Sequence, residues 1–144
     1  MHRYLAIDYG TKRIGLAIGD DDAKIASPID TILAHGDPND HVQAVLSAAG
    51  AYDIDAFVIG LPVNMDDTEG EQAKITRQFG DKLALTSGLD VHYYDERLSS
   101  HAARELLRPA ELTRRKRKAV EDSVAAQVIL QGFLDALRGS DASD

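Results

Sequence analysis

The sequence predicts an α/β protein built on a mixed five-stranded sheet, with an antiparallel hairpin on one side, parallel strands on the other, and helices flanking both. Three observations carry that prediction. Two short apolar runs, Tyr4–Asp8 and Ile14–Gly19, are separated by one tight turn, the spacing of a hairpin. Ala56-Phe57-Val58-Ile59-Gly60 is apolar on both faces, as expected of a buried parallel strand. From Asp37 onward, segments of helical and strand periodicity alternate.

Taken in order, Tyr4–Asp8 is the first strand, Tyr9-Gly10-Thr11-Lys12 the turn, and Ile14–Gly19 the second strand; Ala26–Ile32 adds a third. Asp37-Pro38 reads as an N-cap followed by proline at the first helical position. Val42, Val45, Leu46 and Ala49 keep helical spacing up to Gly50. After the strand at 56–60, Thr68 and Glu71 have the spacing of a capping box, opening a helix with the core stripe Ile75, Phe79 and Leu83 and a stop near Gly88. Val91–Asp95 is the fifth strand. Ser99 or Ser100 caps a short helix to about Arg108, and a last helix runs from about Val120 to Arg138. No repeat or linker interrupts the pattern, so residues 1–138 are expected to form one domain, followed by a short tail at 139–144.

The 144 residues are 44% hydrophobic and 28% charged, enough apolar matter for a real core. With no cysteine, disulfides, thiolate nucleophiles and Cys-ligated zinc are excluded. No apolar run reaches membrane-spanning length, and Met1-His2-Arg3 leads into no signal-peptide core, so the expected location is the cytoplasm, away from membranes. The net charge of −8 argues at first against a polyanionic partner. Its distribution argues otherwise. Between Glu96 and Lys118 eight bases outweigh three acids, a local +5, which leaves −13 for the rest of the chain. The run Arg114-Arg115-Lys116-Arg117-Lys118 leads directly into the last helix, and a basic loop anchored in that way suits a phosphate backbone. The acids at Asp20–Asp22, Asp66-Asp67 and the tail read mostly as solubilising surface.

Three acidic positions stand out by place: Asp8 ends the first strand, Asp95-Glu96 ends the fifth, and Asp122 opens the last helix. Ala126, Ile129, Phe133 and Leu137 follow Asp122 on one helical face, which aims Asp122 at the sheet. Each acid alone has an ordinary explanation: a turn acid, a surface salt bridge, a charge favoured at a helix N-terminus. Together they repel. Carboxylates about 4 Å apart repel by roughly 4 kcal/mol at an effective dielectric near 20, so such a cluster calls for a cation. All-oxygen ligands, with five histidines in no zinc spacing, favour Mg²⁺ or Mn²⁺. Ions held this way can activate water against a phosphodiester. In the turn after Asp8, Gly10 permits unusual backbone angles, while Lys12 and Arg13 offer charge to phosphate. Gly10 and Gly15 have the spacing of a phosphate-loop pair, but a strand and not a helix follows, and no Gly-x-Gly occurs anywhere.

At these residues the chain resembles the YqgF family, also called RuvX, within the RNase H-like superfamily. Four segments in the family's order carry the resemblance: Ala6–Gly15, Ile59–Asp66, Tyr94–Ser99 and Arg117–Ala126. The resemblance implies a metal-dependent nuclease that processes the 5′ end of precursor 16S ribosomal RNA or, alternatively, resolves Holliday junctions in branched DNA. It implies Asp8, Glu96 and Asp122 as catalytic and metal-binding acids, with Asp95 in reserve for the middle place. Strand alternation puts Asp95 on the face of Val91 and Tyr93, and Glu96 on the opposite face. Gly10, Lys12, Arg13, Asn64, Arg97 and residues 114–118 would contact substrate. Asp67 stands where the family pattern leads us to expect glycine. A resolvase would favour a homodimer over a monomer. An actin-like ATPase, and an RNA-binding module with vestigial acids, rank behind these readings.

Overall fold

The first strand, β1 (Arg3–Tyr9), pairs antiparallel with β2 (Arg13–Asp20), which pairs antiparallel with β3 (Ser27–Leu33). On its other side β1 pairs parallel with β4 (Ala56–Leu61), and β4 pairs parallel with β5 (Asp90–Asp95). The five-stranded sheet therefore has the order β3-β2-β1-β4-β5, the mixed sheet that the sequence predicts. The computed structural model describes residues 1–98 and 124–137. The predicted helix to Arg108, the basic run at 114–118, Asp122 and the tail at 139–144 lie outside the described residues.

Strand alternation sorts the core into two layers. Leu5, Ile7, Tyr9, Ile14, Leu16, Phe57 and Ile59 face helices α1 (Pro38–Ala49) and α2 (Glu71–Ser87), meeting Val42, Val45, Phe79 and Leu83. Tyr4, Ala6, Ala17, Ala56 and Val58 face the opposite way, onto Ala126, Ile129, Leu130 and Leu134 of helix α3, which covers residues 124–137. Each fully buried Leu, Ile or Phe contributes about 1.5–3 kcal/mol of transfer free energy. The alanines on the α3 side let that helix lie close. Its polar edge is tied down as well: the Gln131 amide accepts from Ala26 N at 3.0 Å and donates to Lys24 O at 2.8 Å, and Gln127 donates to Ala26 O at 3.2 Å.

The predicted start of α1 holds. Asp37 Oδ1 accepts from Asp40 N at 3.1 Å, and Asp40 Oδ2 accepts from Asp37 N at 3.0 Å, with Pro38 in the first turn. The predicted start of α2 does not. That helix begins at Glu71 behind Gly70, with no side-chain cap. Thr68 is spent earlier, in a turn that the Val63–Glu69 bridge closes: its carbonyl accepts from Asn64 N at 2.8 Å, and its hydroxyl serves Asn64 and Asp66. The inward stripe of α2 keeps Phe79 and Leu83 as predicted but rotates to take in Ala73, Thr76 and Gly80, leaving Ile75 exposed. Small residues decide the rotation, because the Tyr93 ring crosses the helix at Gly80. Gly88 stops α2 at φ +74°, a left-handed C-cap.

Candidate active site

The carboxyl ends of β1, β4 and β5 lie side by side, since Ile7 pairs with Ile59, and Gly60 and Leu61 pair with Tyr94 and Asp95. In an open α/β sheet this edge is where ligands bind. Asp8 shares the face of Tyr4 and Ala6, the α3 side. Glu96 is the first residue after β5 and opens a single 3₁₀ turn, Glu96–Leu98. It continues the alternation of Tyr94, so it too faces α3.

Gly60 makes their meeting possible. A Cβ at this position would stand 2.7 Å from Glu96 Oε1, 2.9 Å from Glu96 Cγ and 2.5 Å from Ile129 Cδ1. The missing side chain is the space through which Glu96 crosses the end of β4 toward Asp8. The Glu96 carboxyl hydrogen-bonds the Asp8 carboxylate, and burial together with that neighbouring negative charge pushes its pKa up to about 8. Sequence reasoning missed the role of Gly60, although a glycine ending a wholly apolar strand is a signal of close approach.

Asp95 lies on the other side of the sheet and in the opposite electrostatic state. Arg97 Nη2 donates to its Oδ2 at 2.6 Å and Arg97 Nε at 2.9 Å, while Arg97 N donates to Oδ1 at 2.9 Å. This guanidinium holds the Asp95 carboxyl below the usual carboxylate range. Of the two acids left open for the middle place, Glu96 meets Asp8 and Asp95 does not. Arg97, expected among the substrate contacts, is engaged inside the protein: Nη1 donates to Asp67 Oδ1 at 2.8 Å and to Asn64 O at 3.1 Å. Asp67 has φ +72°, so the backbone at this position does adopt the conformation that glycine favours. Asp67 and Asp66 are accordingly part of a built turn rather than mere solubilising surface. The Asn64 side-chain amide donates to Thr68 Oγ1 at 3.0 Å.

In the β1–β2 turn, Gly10 N donates to Arg13 O at 3.0 Å, and a Cβ on Gly10 would come within 2.6 Å of that oxygen. Gly10 has no positive φ. Contrary to the expectation of unusual backbone angles, what this turn requires of Gly10 is room. Lys12 is exposed and Arg13 half-buried at the start of β2, one turn from Asp8. Among the described residues no group of three or more His, Cys, Asp or Glu side chains forms a metal cluster. Asp122 and residues 114–118 lie outside the described residues, so the assembled part of the expected site is the Asp8–Glu96 pair. Two carboxyls forced together are nonetheless an oxygen donor set that a hard divalent cation fits.

The sheet order β3-β2-β1-β4-β5, with α3 packed against one face, is an RNase H-like architecture. The chain aligns with Thermus thermophilus RuvC in complex with a Holliday junction substrate at a TM-score of 0.58 and 17% identity, covering 96% of this chain and 97% of that one. It aligns with the yeast mitochondrial Holliday junction resolvase Ydc2 at a TM-score of 0.54 and 8% identity, covering 92% and 78%. At such identities the likeness is one of fold. The chain belongs to the RuvX family, described as Holliday junction resolvase, which it matches over residues 2–136. A relative from Myxococcus xanthus (strain DK1622) is 42% identical over 139 residues, covering 96% of this chain and 91% of the relative. Another, from Bacillus thuringiensis (strain Al Hakam), is 42% identical over 135 residues, covering 93% and 98%. Both bear the name "Putative pre-16S rRNA nuclease".

Proposed function

We propose that this protein is a metal-dependent nuclease that hydrolyses phosphodiester bonds in structured RNA, processing the 5′ end of precursor 16S ribosomal RNA in the cytoplasm. The observation that carries this reading is the Asp8–Glu96 pair, two acids packed against each other through the gap at Gly60. The relatives' names supply the substrate class. Among the described residues no helix is long and apolar enough to cross a membrane.

Asp8, Glu96 and Asp122 would hold Mg²⁺ or Mn²⁺, and the bound ion would supply charge neutralisation at the phosphoryl oxygens and activation of water. For its part the chain orients the acids. Asp8 is fixed by the ladder of β1, and Glu96 by the 3₁₀ turn and by Gly60. Glu96 holds a proton in its hydrogen bond to Asp8, and would have to release it to serve as a ligand. Lys12, Arg13, Asn64 and residues 114–118 would hold the phosphate backbone on either side. Incubating precursor 16S RNA with wild type and Asp8→Asn in Mg²⁺ or Mn²⁺ tests the assignment. Cleavage by wild type and its loss in the variant are expected; equal cleavage by both overturns it.

The family's description and the fold favour one second reading, resolution of branched DNA. Symmetric cutting of a junction needs a two-fold dimer. Cleavage of a four-way DNA junction by a sedimenting dimer, with precursor RNA left intact, would replace the first reading by this one.

A further inference from the structure

We propose that Arg97 is a positioning residue that straps the loop between β4 and α2 to the end of β5 and thereby holds Glu96 in its crossing toward Asp8. This rests on the nuclease reading for what the site does, and on geometry for how the strap works.

Arg97 directly follows Glu96, and its side chain has three acceptors on two separate segments. On its own strand end it grips Asp95 through Nε and Nη2, so Glu96 stands between two residues locked to each other. Across the gap, Nη1 reaches Asn64 O and Asp67 Oδ1, in the loop after β4. The paired Arg97 and Asp95 side chains are 29% and 26% exposed, whereas Asp67 is 84% exposed. The Asp95 grip is therefore the strong one, and the Asp67 contact, open to solvent, is the weaker and more easily exchanged. A planar fork with donors on two edges can span two such partners; an ammonium has no such geometry.

The loop it holds is itself built. Asn64 N donates to Thr68 O at 2.8 Å and Asp67 N to Asn64 O at 2.9 Å. Asp67 keeps its left-handed φ of +72° with a side chain whose carboxylate reaches Arg97. A glycine there would adopt the backbone without strain and lose the ion pair. Aspartate in this place is explained by the strap.

The competing assignment is a direct phosphate contact by Arg97, and the two diverge in kinetics. Arg97→Lys keeps the charge and loses the fork. Under the strap it lowers kcat on precursor RNA by about 30-fold with KM changed less than about threefold, on the scale of losing a residue that orients a ligand. It also speeds hydrogen exchange at the Asp67 and Thr68 amides by tenfold or more. Asp67→Asn, which tolerates the left-handed backbone, gives a smaller kcat loss of about threefold with the same loop signature. A rise in KM alone, with kcat and loop exchange as in wild type, overturns the strap in favour of substrate contact. Should Arg97→Lys fail to fold, Asp67→Asn alone decides, since it leaves the Asp95 grip intact: unchanged kcat and unchanged exchange overturn the proposal. If wild type cleaves no RNA, the nuclease reading fails while the exchange data still test the strap.

Discussion

The two sides of the sheet treat neighbouring acids in opposite ways. On the α3 side Glu96 meets another carboxylate, and its pKa rises to about 8. On the side of α1 and α2, one residue earlier, Asp95 meets a guanidinium and its pKa falls. No difference of residue class separates them; the strand period of two does, sending one acid into a like-charged crevice and the next onto a salt bridge. A structural ion pair satisfies itself. A pair of acids invites a proton or a cation, and on the proposed nuclease reading that distinction makes the α3 side the candidate place of chemistry.

Exchanging charge for amide on each side should break the symmetry of the two acids. Glu96→Gln keeps shape and removes a ligand, so cleavage of precursor RNA is expected to fall by roughly three orders of magnitude, the scale of losing a central catalytic group. Asp95→Asn loosens Arg97 only, and a drop of about tenfold is expected. Equal losses in a cleavage assay would show that the sheet does not separate the two roles. Gly60→Ala tests the gap between them. Its Cβ would press on Glu96 and Ile129, and relieving that overlap costs about 1–3 kcal/mol of stability, read as a lowered urea midpoint. Cleavage should fall with it, by about 100-fold, because Glu96 is pushed from its crossing.

Most of this fold can be read from residue patterns, and the exceptions have physical causes. Buried strands announce themselves, as Ala56–Leu61 does with every residue buried. The cap at Asp37 is legible because its partners are local, three residues apart. Thr68 and Glu71 show the same spacing and do not cap, because Thr68 is drawn into a turn set by the Val63–Glu69 bridge. The stripe of α2 rotates to seat Gly80 beneath Tyr93, a contact between residues distant in the chain. That Glu96 and not Asp95 meets Asp8 follows from alternation once β5 is known to end at Asp95. The gap at Gly60 and the grip of Arg97 depend on what three separate segments bring to one edge, and local periodicity carries no record of that.

The smallest expected effect uses the same two acids as opposed pH probes in metal-free protein. For Glu96 the folded pKa, about 8, exceeds the ordinary carboxylate value. Between the two values the folded state holds a proton that the unfolded chain has released. Stability from this group is therefore full below the ordinary value and is lost as pH rises through about 8. For Asp95 the folded pKa is lowered, so its contribution is present above the ordinary value and is lost on acidification. Thermal melts in a chelator should therefore show Tm falling from about pH 5 to pH 8, with Glu96→Gln flattening that fall and Asp95→Asn flattening only the acid limb. Added Mg²⁺ should raise Tm more at pH 8 than at pH 6, since at pH 6 it must displace the proton between Asp8 and Glu96 before both carboxylates can serve as ligands. A fall with pH that survives in Glu96→Gln would mean that the shared proton lies elsewhere, and the site would have to be rebuilt around a different pair.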